Sequence, residues 1–420
     1  MAPRAALRLG RALRHRNDRL FFVGQGVSLI GTWLTRFATV WMVYRLTGSG
    51  ALLGLGAFFG QAPSSLLAPL AGVLVDRWDR HRVIIATQIA AMLQSAALAI
   101  LAFTGHMEVW HLMVLGAVQA VINAFDMPAR QSFLRQLIED RSDLPNAIAL
   151  NSSRVNLARL LGPAIAAALV AAFGEAWCFT SDAVSYIAVV ASLLMMRVTP
   201  LAPVKRAGHV GREMKDGLRY VAQVPLLRAV LLLLAVTSVL GGSYTTLLPM
   251  VAGTTLAGGA HTLGILMGAA GCGALVGALY LASRSTIVGL GGVIARSTLT
   301  LGAALIALRF ATNVYVATPL LFLTGLSWMV QMASTNTIVQ TISDPDKLGR
   351  VMSLYAVAFF GGMPLGALLE GTLADHIGPM NTFLCAGIAV ALAGAIYLRA
   401  LPGLRRASRP LYTRLGLIPG

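Results

Sequence analysis

The sequence predicts an all-α integral membrane protein whose roughly twelve transmembrane helices form two pseudo-symmetric six-helix bundles. Composition, the spacing of apolar windows and a polar stretch in mid-chain lead to this fold class. Of the 420 residues, 57% are hydrophobic and 12% are charged, and the mean hydropathy is +0.74. A globular core does not use so much apolar sequence. The strands of a β-barrel would not give apolar runs of this length.

Apolar windows of about 20 residues, the length that crosses a bilayer as a helix, recur along the whole chain. We place them at roughly 20–44, 51–75, 83–104, 109–133, 145–173, 177–196, 227–251, 262–283, 287–309, 314–341, 349–373 and 379–399. Each window predicts one transmembrane helix.

A charged, proline-containing stretch divides these windows into two groups of six. It covers residues 197–228, so the predicted bundles are 1–196 and 229–420, the second with a basic tail. The two parts also resemble each other, because the segment 136–150 matches the segment 340–354 at a constant offset of 204 (340 − 136 and 354 − 150). Pro163 and Pro364 follow in comparable small-residue helices.

The positive charge alternates along the chain. The net charge is +17, from 33 Lys and Arg against 16 Asp and Glu. Basic residues crowd the N-terminal tail, the 75–83 loop, the 197–228 connector and the C-terminal tail, whereas loops near 46–50, 105–108, 174–176, 252–261 and 374–378 hold no Lys or Arg. This alternation predicts that both termini are cytoplasmic and that the charge faces anionic lipid. It disfavours a nucleic-acid partner.

Several classes of site are absent from the sequence pattern. The arginine-rich N-terminus leads into a span too long for a signal peptide, so we expect the first helix to be retained. Cys178, Cys272 and Cys385 have neither paired nor metal-ligand spacing. No phosphate-binding loop, metal cluster or Ser-His-Asp set occurs. We therefore expect no metal, no cofactor and no enzymatic activity.

Polar residues recur at helical spacing on one face of the first, fourth, seventh and tenth predicted spans. The four stripes are Gln25, Ser28, Thr32, Thr35, Arg36 and Thr39; Gln119, Asn123, Asp126 and Arg130; Thr237, Gly241, Tyr244 and Thr245; and Thr324, Ser327, Gln331 and Ser334. Lipid-facing helices do not carry such stripes, and a water-accessible cavity accommodates all four. Ordinary hydrogen bonding between helices is the alternative. Arg36 and Asp126 favour the cavity, since packing does not need charges.

The run from Gly72 to Arg82 places five charges between two long apolar segments. They are Asp76, Arg77, Asp79, Arg80 and Arg82. So short a cluster predicts a tight loop at the membrane surface. Asp76 needs a cation or a helix N-terminus to remain ionised near lipid. A basic loop that only anchors lipid is the alternative.

The chain resembles the major facilitator superfamily, and within it the group of enterobactin exporters and transmembrane secretion effectors that also includes macrolide efflux proteins. The resemblance covers nearly the whole chain. It is carried by Ser28–Trp33, the Gly72–Arg82 loop, Pro128–Gln131, Asn151 through Gly162-Pro163, Gly217–Val221 and Gly349–Ser353. Transporters built from repeated halves hold their substrate near the midplane.

The resemblance implies a role for the charged loop as a cytoplasmic latch. Gly72 would permit close approach of a neighbouring helix, and Asp76 would meet a helix N-terminus near Gly349 and Arg350. Arg80 would reach Asp126. Breaking these contacts would release the halves. Asp79 stands where such loops usually have a second glycine, which leaves the geometry of the turn open.

Gly162-Pro163 resembles the Gly-Pro motif associated with antiporters, although a kinked packing helix would look the same. Arg154 and Arg159 lie shortly before it at membrane depth. Such arginines are normally partnered, and either a substrate anion or a carboxylate such as Asp126 would serve. With these residues, the predicted substrate cavity comprises Gln25, Ser28, Thr32, Arg36, Trp41, Gln119, Asn123, Arg130, Arg154, Tyr244, Trp328 and Gln331.

Without a nucleotide-binding segment, an ion gradient is the expected energy source. Asp126, Asp182 and Glu370 are the candidate proton carriers, although Asp182 and Glu370 could instead be gate contacts and Asp126 the far end of the latch. We hypothesise proton-coupled efflux of a siderophore-, drug- or antibiotic-like small molecule by alternating access, in a monomer of the bacterial cytoplasmic membrane. Facilitated uptake or lysolipid translocation by the same fold is the alternative.

Overall fold

A computed structural model describes residues 16–137, 144–196, 210–284 and 286–414. None of these residues forms a strand, and helices make up almost all of them. The first half contains α1 (Arg16–Thr47), α2 (Gly50–Arg77), α3 (Arg80–Phe103), α4 (Val109–Leu137), α5 (Leu144–Phe173) and α6 (Glu175–Leu194). The all-α prediction is confirmed.

The second half begins with a short helix in the predicted polar connector. Its helices are α7 (Val210–Gln223), α8 (Pro225–Leu240), α9 (Tyr244–Met250), α10 (Ala260–Ala282), α11 (Leu290–Leu308), α12 (Val314–Ile342), α13 (Leu348–Ala356), α14 (Gly362–Ile377) and α15 (Pro379–Arg414). Two π-helical turns, Val251–Thr255 and Val357–Gly361, follow α9 and α13. The predicted spans 227–251 and 349–373 are therefore not uniform α-helices.

Eleven segments among the described residues are long and apolar enough to cross a membrane. Of the twelve predicted spans, the first has no matching segment, because α1 carries Gln25, Arg36 and several Ser and Thr residues along its length. Large apolar side chains within the spans are exposed: Leu66 is 78% exposed and Ile396 is 69% exposed. Water would make such a surface costly, whereas lipid suits it.

The described residues divide into two compact units. Unit 1 holds residues 16–47 and 59–196, and unit 2 holds residues 48–58 and 210–414 apart from residue 285. The helix α2 thus contributes its first nine residues to unit 2. The predicted boundaries of the bundles and the connector, 1–196, 197–228 and 229–420, stay a prediction.

Unit 1 is built around four helix pairings: α1 with α5 and α6, and α3 with α4 and α6. Its main apolar cluster joins Phe21 of α1, Ile84 of α3, Phe133 of α4 and Leu193 of α6. Since lipid is as apolar as these side chains, van der Waals packing and hydrogen bonds hold the helices together.

Unit 2 packs α10 against α12, and α11 against α12 and α15. Glycine makes the first pairing close: a Cβ on Gly273 would run into the carbonyl of Phe322, and one on Gly325 into that of Ala270. The helix α8 ends with Gly241 as its C-cap residue. The next residue, Gly242, lies against the indole of Trp328. Small residues at these points permit the backbones to approach.

Candidate functional site

Asp126 on α4 is the centre of a polar cluster inside unit 1. Its Oδ1 accepts hydrogen bonds from Thr87 Oγ1 at 2.9 Å and from Gln88 Nε2 at 2.8 Å, both on α3. Its Oδ2 forms an ion pair with Arg130, one turn further along α4. Both oxygens of this buried carboxylate are therefore occupied by protein groups.

A second carboxylate, Asp182 on α6, joins three helices. Its Oδ2 accepts from Thr35 Oγ1 of α1 at 2.9 Å and from Ser95 Oγ of α3 at 2.8 Å. Its Oδ1 has no hydrogen-bond partner among the described residues, although the side chain is only 2% exposed. Gly31 of α1 leaves the space, because a Cβ there would lie 2.6 Å from Oδ1.

The predicted polar stripe of α1 is partly buried and partly open. Gln25 is 1% exposed, and neither amide atom has a partner in the described part of the chain. Ser28 is buried, and its carbonyl accepts from Thr32 Oγ1 at 3.1 Å. Arg36 is exposed, with its guanidinium carbon 5.4 Å from the centre of the Trp33 ring. Trp41 contacts Tyr44, with ring centres 5.5 Å apart.

The polar stripe of α4 also includes Gln119 and Asn123, which precede Asp126 by about two turns and one turn. Gln119 Nε2 donates to Asn123 Oδ1 at 3.2 Å, and both residues are half-buried. Together with Asp126 and Arg130 they occupy one face of the helix, as predicted from their spacing.

The helix α5 contributes an arginine and the Gly-Pro pair. Arg154 donates to the carbonyl of Phe22 at 3.0 Å and to Asn151 Oδ1 at 2.7 Å. Gly162 lies directly against Trp33 of α1, so a Cβ there would have no room. Pro163 lies inside the helix. A substrate anion or Asp126 was predicted as the partner of Arg154, and Asp126 forms its ion pair with Arg130.

In unit 2 the polar stripe of α12 is fully buried. The hydroxyls of Ser327 and Ser334 and both amide atoms of Gln331 make no hydrogen bond among the described residues. Thr324 bonds to the carbonyl of Leu320 at 2.8 Å in its own helix. Trp328 stacks on Phe359 with ring centres 6.0 Å apart.

Two further predicted residues of unit 2 are buried. Tyr244 begins α9 and is 3% exposed. Glu370 on α14 is also 3% exposed, and neither carboxyl oxygen has a partner in the described residues. It follows Gly362 and Gly366, which pack against Ser238 and Val239.

The charged loop between α2 and α3 is a tight turn. Asp79 caps α3: its Oδ1 accepts from the amides of His81 at 2.9 Å and Arg82 at 3.4 Å, and Arg82 pairs with its carboxylate at 3.5 Å. Asp79, which stands where such loops usually have a second glycine, is therefore the N-cap residue of α3. Arg77 ends α2 and is exposed.

Other predicted features of the latch are less fully described. The side chain of Asp76 lies outside the described residues. A Cβ on Gly72 or on Gly349 would meet no described atom within 4 Å, and the close approach predicted at Gly72 stays a prediction. Arg80 begins α3 and is half-buried, and its pairing with Asp126 stays a prediction. Arg350 pairs with Asp216 of α7 at 3.6 Å.

Sequence reasoning named Thr35 and Arg130 in its polar stripes but missed the partners of the two carboxylates on α3. Thr87, Gln88 and Ser95 lie in a largely apolar span, and Ser95 follows the first two by eight and seven residues, which puts all three on one face of α3. That spacing was a usable signal. No group of three metal-ligating side chains occurs in the part of the chain that the structure describes.

Comparison with known proteins places this chain in a family. The transmembrane secretion effector family matches residues 11–410. The staphyloferrin A transporter of Staphylococcus aureus is 25% identical over 382 residues, covering 88% of this chain and 92% of that protein. The macrolide efflux protein A of Streptococcus pyogenes is 24% identical, covering 87% and 91%. The multidrug efflux pump Tap of Mycolicibacterium fortuitum is 26% identical, covering 90% and 95%.

Solved structures share the fold. A bacterial homologue of the human lysosomal transporter Spinster, in an inward-facing and unoccupied conformation, has a TM-score of 0.72 at 14% identity, with 94% of this chain and 98% of that chain covered. A POT family transporter in complex with 5-aminolevulinic acid has a TM-score of 0.72 at 11% identity, covering 92% and 96%. The chain is a multi-pass membrane transporter and not an enzyme, and it belongs to the transmembrane secretion effector family of the major facilitator superfamily.

Proposed function

We propose that this transporter exports a siderophore-, drug- or antibiotic-like small molecule by alternating access, in exchange for protons. Its relatives include a macrolide efflux protein, a multidrug efflux pump and a staphyloferrin A transporter, which support the type of cargo, and the two efflux proteins support the direction. The observation that carries the coupling is the environment of Asp182 on α6.

Asp182 has the properties of a group that can gain and lose a proton. It lies inside a membrane span, where an ionised carboxylate without an ion pair is costly. Its partners Thr35 and Ser95 are hydroxyls, which can both donate and accept hydrogen bonds. Protonation at the free Oδ1 would leave both bonds to Oδ2 in place. The carboxyl group can therefore change its charge without rearranging its neighbours.

The other two carboxyl candidates differ from Asp182. Asp126 has two donors on one oxygen and Arg130 on the other, so a proton would have to displace a partner. Glu370 has no hydrogen-bond partner among the described residues, and no described cation forms an ion pair with it. We assign proton exchange to Asp182, positioning of α3 and α4 to Asp126, and a permanently neutral carboxylic acid to Glu370.

Everted membrane vesicles test the coupling. The probes are erythromycin, ethidium and staphyloferrin A, and the readout is accumulation driven by an imposed proton gradient. We expect wild-type accumulation of at least one probe that a protonophore abolishes. We expect Asp182→Asn to retain downhill exchange of that probe but to lose accumulation, because asparagine cannot carry the proton.

Asp346→Asn is the matched control, since that carboxylate is exposed at the end of the α12–α13 loop and should not affect coupling. Accumulation that survives the protonophore would contradict proton coupling. Gradient-independent uptake into cells would instead favour a facilitated permease, and movement of lysolipid between leaflets would favour a lipid translocator.

We also infer a monomer of the bacterial inner membrane with both termini in the cytoplasm. The exposed arginines of the C-terminal end of α15, Arg405, Arg406 and Arg409, support contact with anionic headgroups on that side. Accessibility of cysteines introduced near either end of the chain to a membrane-impermeant thiol reagent would check the orientation. Labelling in intact cells would contradict it.

A further inference from the structure

Arginines collect along one helix pairing of unit 1, the seam between α1 and α5. Arg154 reaches across the seam to Phe22: one guanidinium nitrogen donates to the Phe22 carbonyl, and the group lies 5.3 Å from the centre of the ring. A Cβ on Gly26, one turn along α1, would lie 3.4 Å from Arg154 Cδ. Further along, Gly162 packs on Trp33. The seam therefore runs from Phe22 to Trp33.

Two more arginines lie at the Trp33 end of this seam. Arg36 stands over the Trp33 ring, and its side chain is exposed. Arg159 of α5 is half-buried and lies three residues before Gly162, which packs on Trp33. Three guanidinium groups thus share one pair of packed helices at membrane depth.

These three positive charges are not balanced by nearby carboxylates. No described carboxylate oxygen lies within 4.0 Å of Arg36, Arg154 or Arg159, whereas Arg45 pairs with Glu175 at 3.0 Å, and Arg130 with Asp126. The described hydrogen-bond partners of the Asp182 carboxylate are Thr35 and Ser95, and it forms no described ion pair with Arg36. The partners of Arg154 are a carbonyl and an amide, which orient its guanidinium without neutralising it.

An arginine at membrane depth is costly unless an anion accompanies it. The planar guanidinium matches the two oxygens of a carboxylate, and the bond between two charged groups is stronger than a bond to a neutral acceptor. The half-buried ring of Trp33 beside Arg36 provides apolar surface for the rest of a ligand.

We propose that the seam between α1 and α5 binds a carboxylate group of the transported molecule, so that the cargo is a small organic acid. Arg154 and Arg159 are its principal contacts, and Arg36 with Trp33 forms the outer wall. This inference rests on the proposed export function, since it names the chemistry of the exported compound. The binding of an acid would supply the negative charge that the described residues of the seam lack.

Thermal unfolding of the purified protein in phosphatidylcholine nanodiscs tests the proposal. The ligands are benzoate, 2,3-dihydroxybenzoate and citrate, each compared with its amide, which keeps the shape and loses the charge. We expect at least one acid to raise the unfolding temperature of the wild type while its amide does not. Arg154→Gln and Arg159→Gln should abolish that difference, and Arg296→Gln, at an exposed arginine on α11, should preserve it.

Arg154→Lys covers the case in which the glutamine variant does not fold, since lysine keeps the charge and loses the planar fork; it should weaken the preference for the acid. Equal shifts by acids and amides, or a preference that persists in Arg154→Lys and Arg159→Gln, would overturn the proposal. An acid effect that disappears when phosphatidylglycerol is added, with stabilisation by that lipid alone, would assign the seam to a headgroup phosphate and overturn it too.

The vesicle assay and this binding assay fail separately. Proton-driven export without any preference for acids would leave the transport function standing and remove the acid site. A preference for acids without proton-driven export would leave the acid site and remove the coupling.

Discussion

Single side chains set the geometry of the two polar clusters, and Gly31 is the clearest case. It lies in the Ser28–Trp33 segment of α1, opposite Asp182 of α6, and its missing side chain is what admits the carboxyl group. A Cβ would lie 2.6 Å from Asp182 Oδ1, 2.8 Å from Ser185 Oγ and 2.9 Å from Asp182 Cα. The last of these atoms belongs to the backbone and cannot rotate away. This glycine is thus required by packing and not by a turn.

Gly31→Ala should destabilise the protein by about 1–3 kcal/mol, because the added methyl group overpacks a closed contact. It should also impair gradient-driven accumulation, since Asp182 must shift. Unfolding temperature and vesicle transport measure the two effects. Gly268→Ala on α10 is the control, because a Cβ there meets no atom within 4 Å. If both variants unfold at the same temperature, the contact at Gly31 is not tight.

At the scale of elements, α7 shows how the polar connector is attached to unit 2. Gly217 lies over Arg350, whose guanidinium pairs with Asp216 at 3.6 Å. The backbone amide of Asp344 donates to the hydroxyl oxygen of Tyr220 at 3.1 Å. Burial raises the pKa of Tyr220, so this hydroxyl stays neutral at physiological pH. The helix therefore binds the ends of α12 and α13 with one side and exposes Lys215 and Arg219 on the other.

Tyr220→Phe should loosen α7, because the amide of Asp344 loses its acceptor at a cost of about 0.5–1.5 kcal/mol. Faster hydrogen exchange over residues 210–223 and at Asp344 is the expected result. Tyr315→Phe, at a tyrosine that is 86% exposed, provides the control. Unchanged exchange in Tyr220→Phe would mean that the contact between Arg350 and Asp216 suffices to hold the helix.

At the scale of the whole molecule, the two units share a helical plan but not a charge pattern. Unit 1 holds Asp126 and Asp182 together with half-buried Arg130, Arg154 and Arg159. Among the described residues of unit 2, Glu370 is the fully buried charged side chain. Its other buried polar groups, such as Gln331, are neutral. The contacts that we propose for the proton and for the acid therefore both lie in unit 1.

Glu370→Gln should keep both its proton-driven transport and its fold, because the amide reproduces the shape of a neutral carboxylic acid. Its unfolding temperature should equal or exceed that of the wild type. Glu370→Ala should unfold earlier, because it leaves a cavity in the packing of α14. Loss of accumulation in Glu370→Gln, with the protein still folded, would move proton exchange from Asp182 to unit 2.

Much of the fold follows from the sequence because a membrane imposes length and hydropathy on each helix. The windows at 109–133 and 314–341 correspond to α4 and α12. The break at Gly241 and the π-helical turns were not predicted, because they depend on local backbone packing. Asp126 and Asp182 could be singled out from the sequence because each is a carboxylate within a predicted membrane span. Their partners Thr35, Thr87 and Ser95 come from other helices, and a pattern read along one helix does not show which neighbour it will face.

The concentration of charge in unit 1 bears on how such a chain could have arisen. If the two halves descend from one duplicated gene, they began with equal side chains and later diverged. The bonds of Asp126 and Asp182 and the arginines of the α1–α5 seam involve helices of a single half. Point mutations in that half could therefore build the cluster with no matching change in its sister copy, which remained free to specialise in packing.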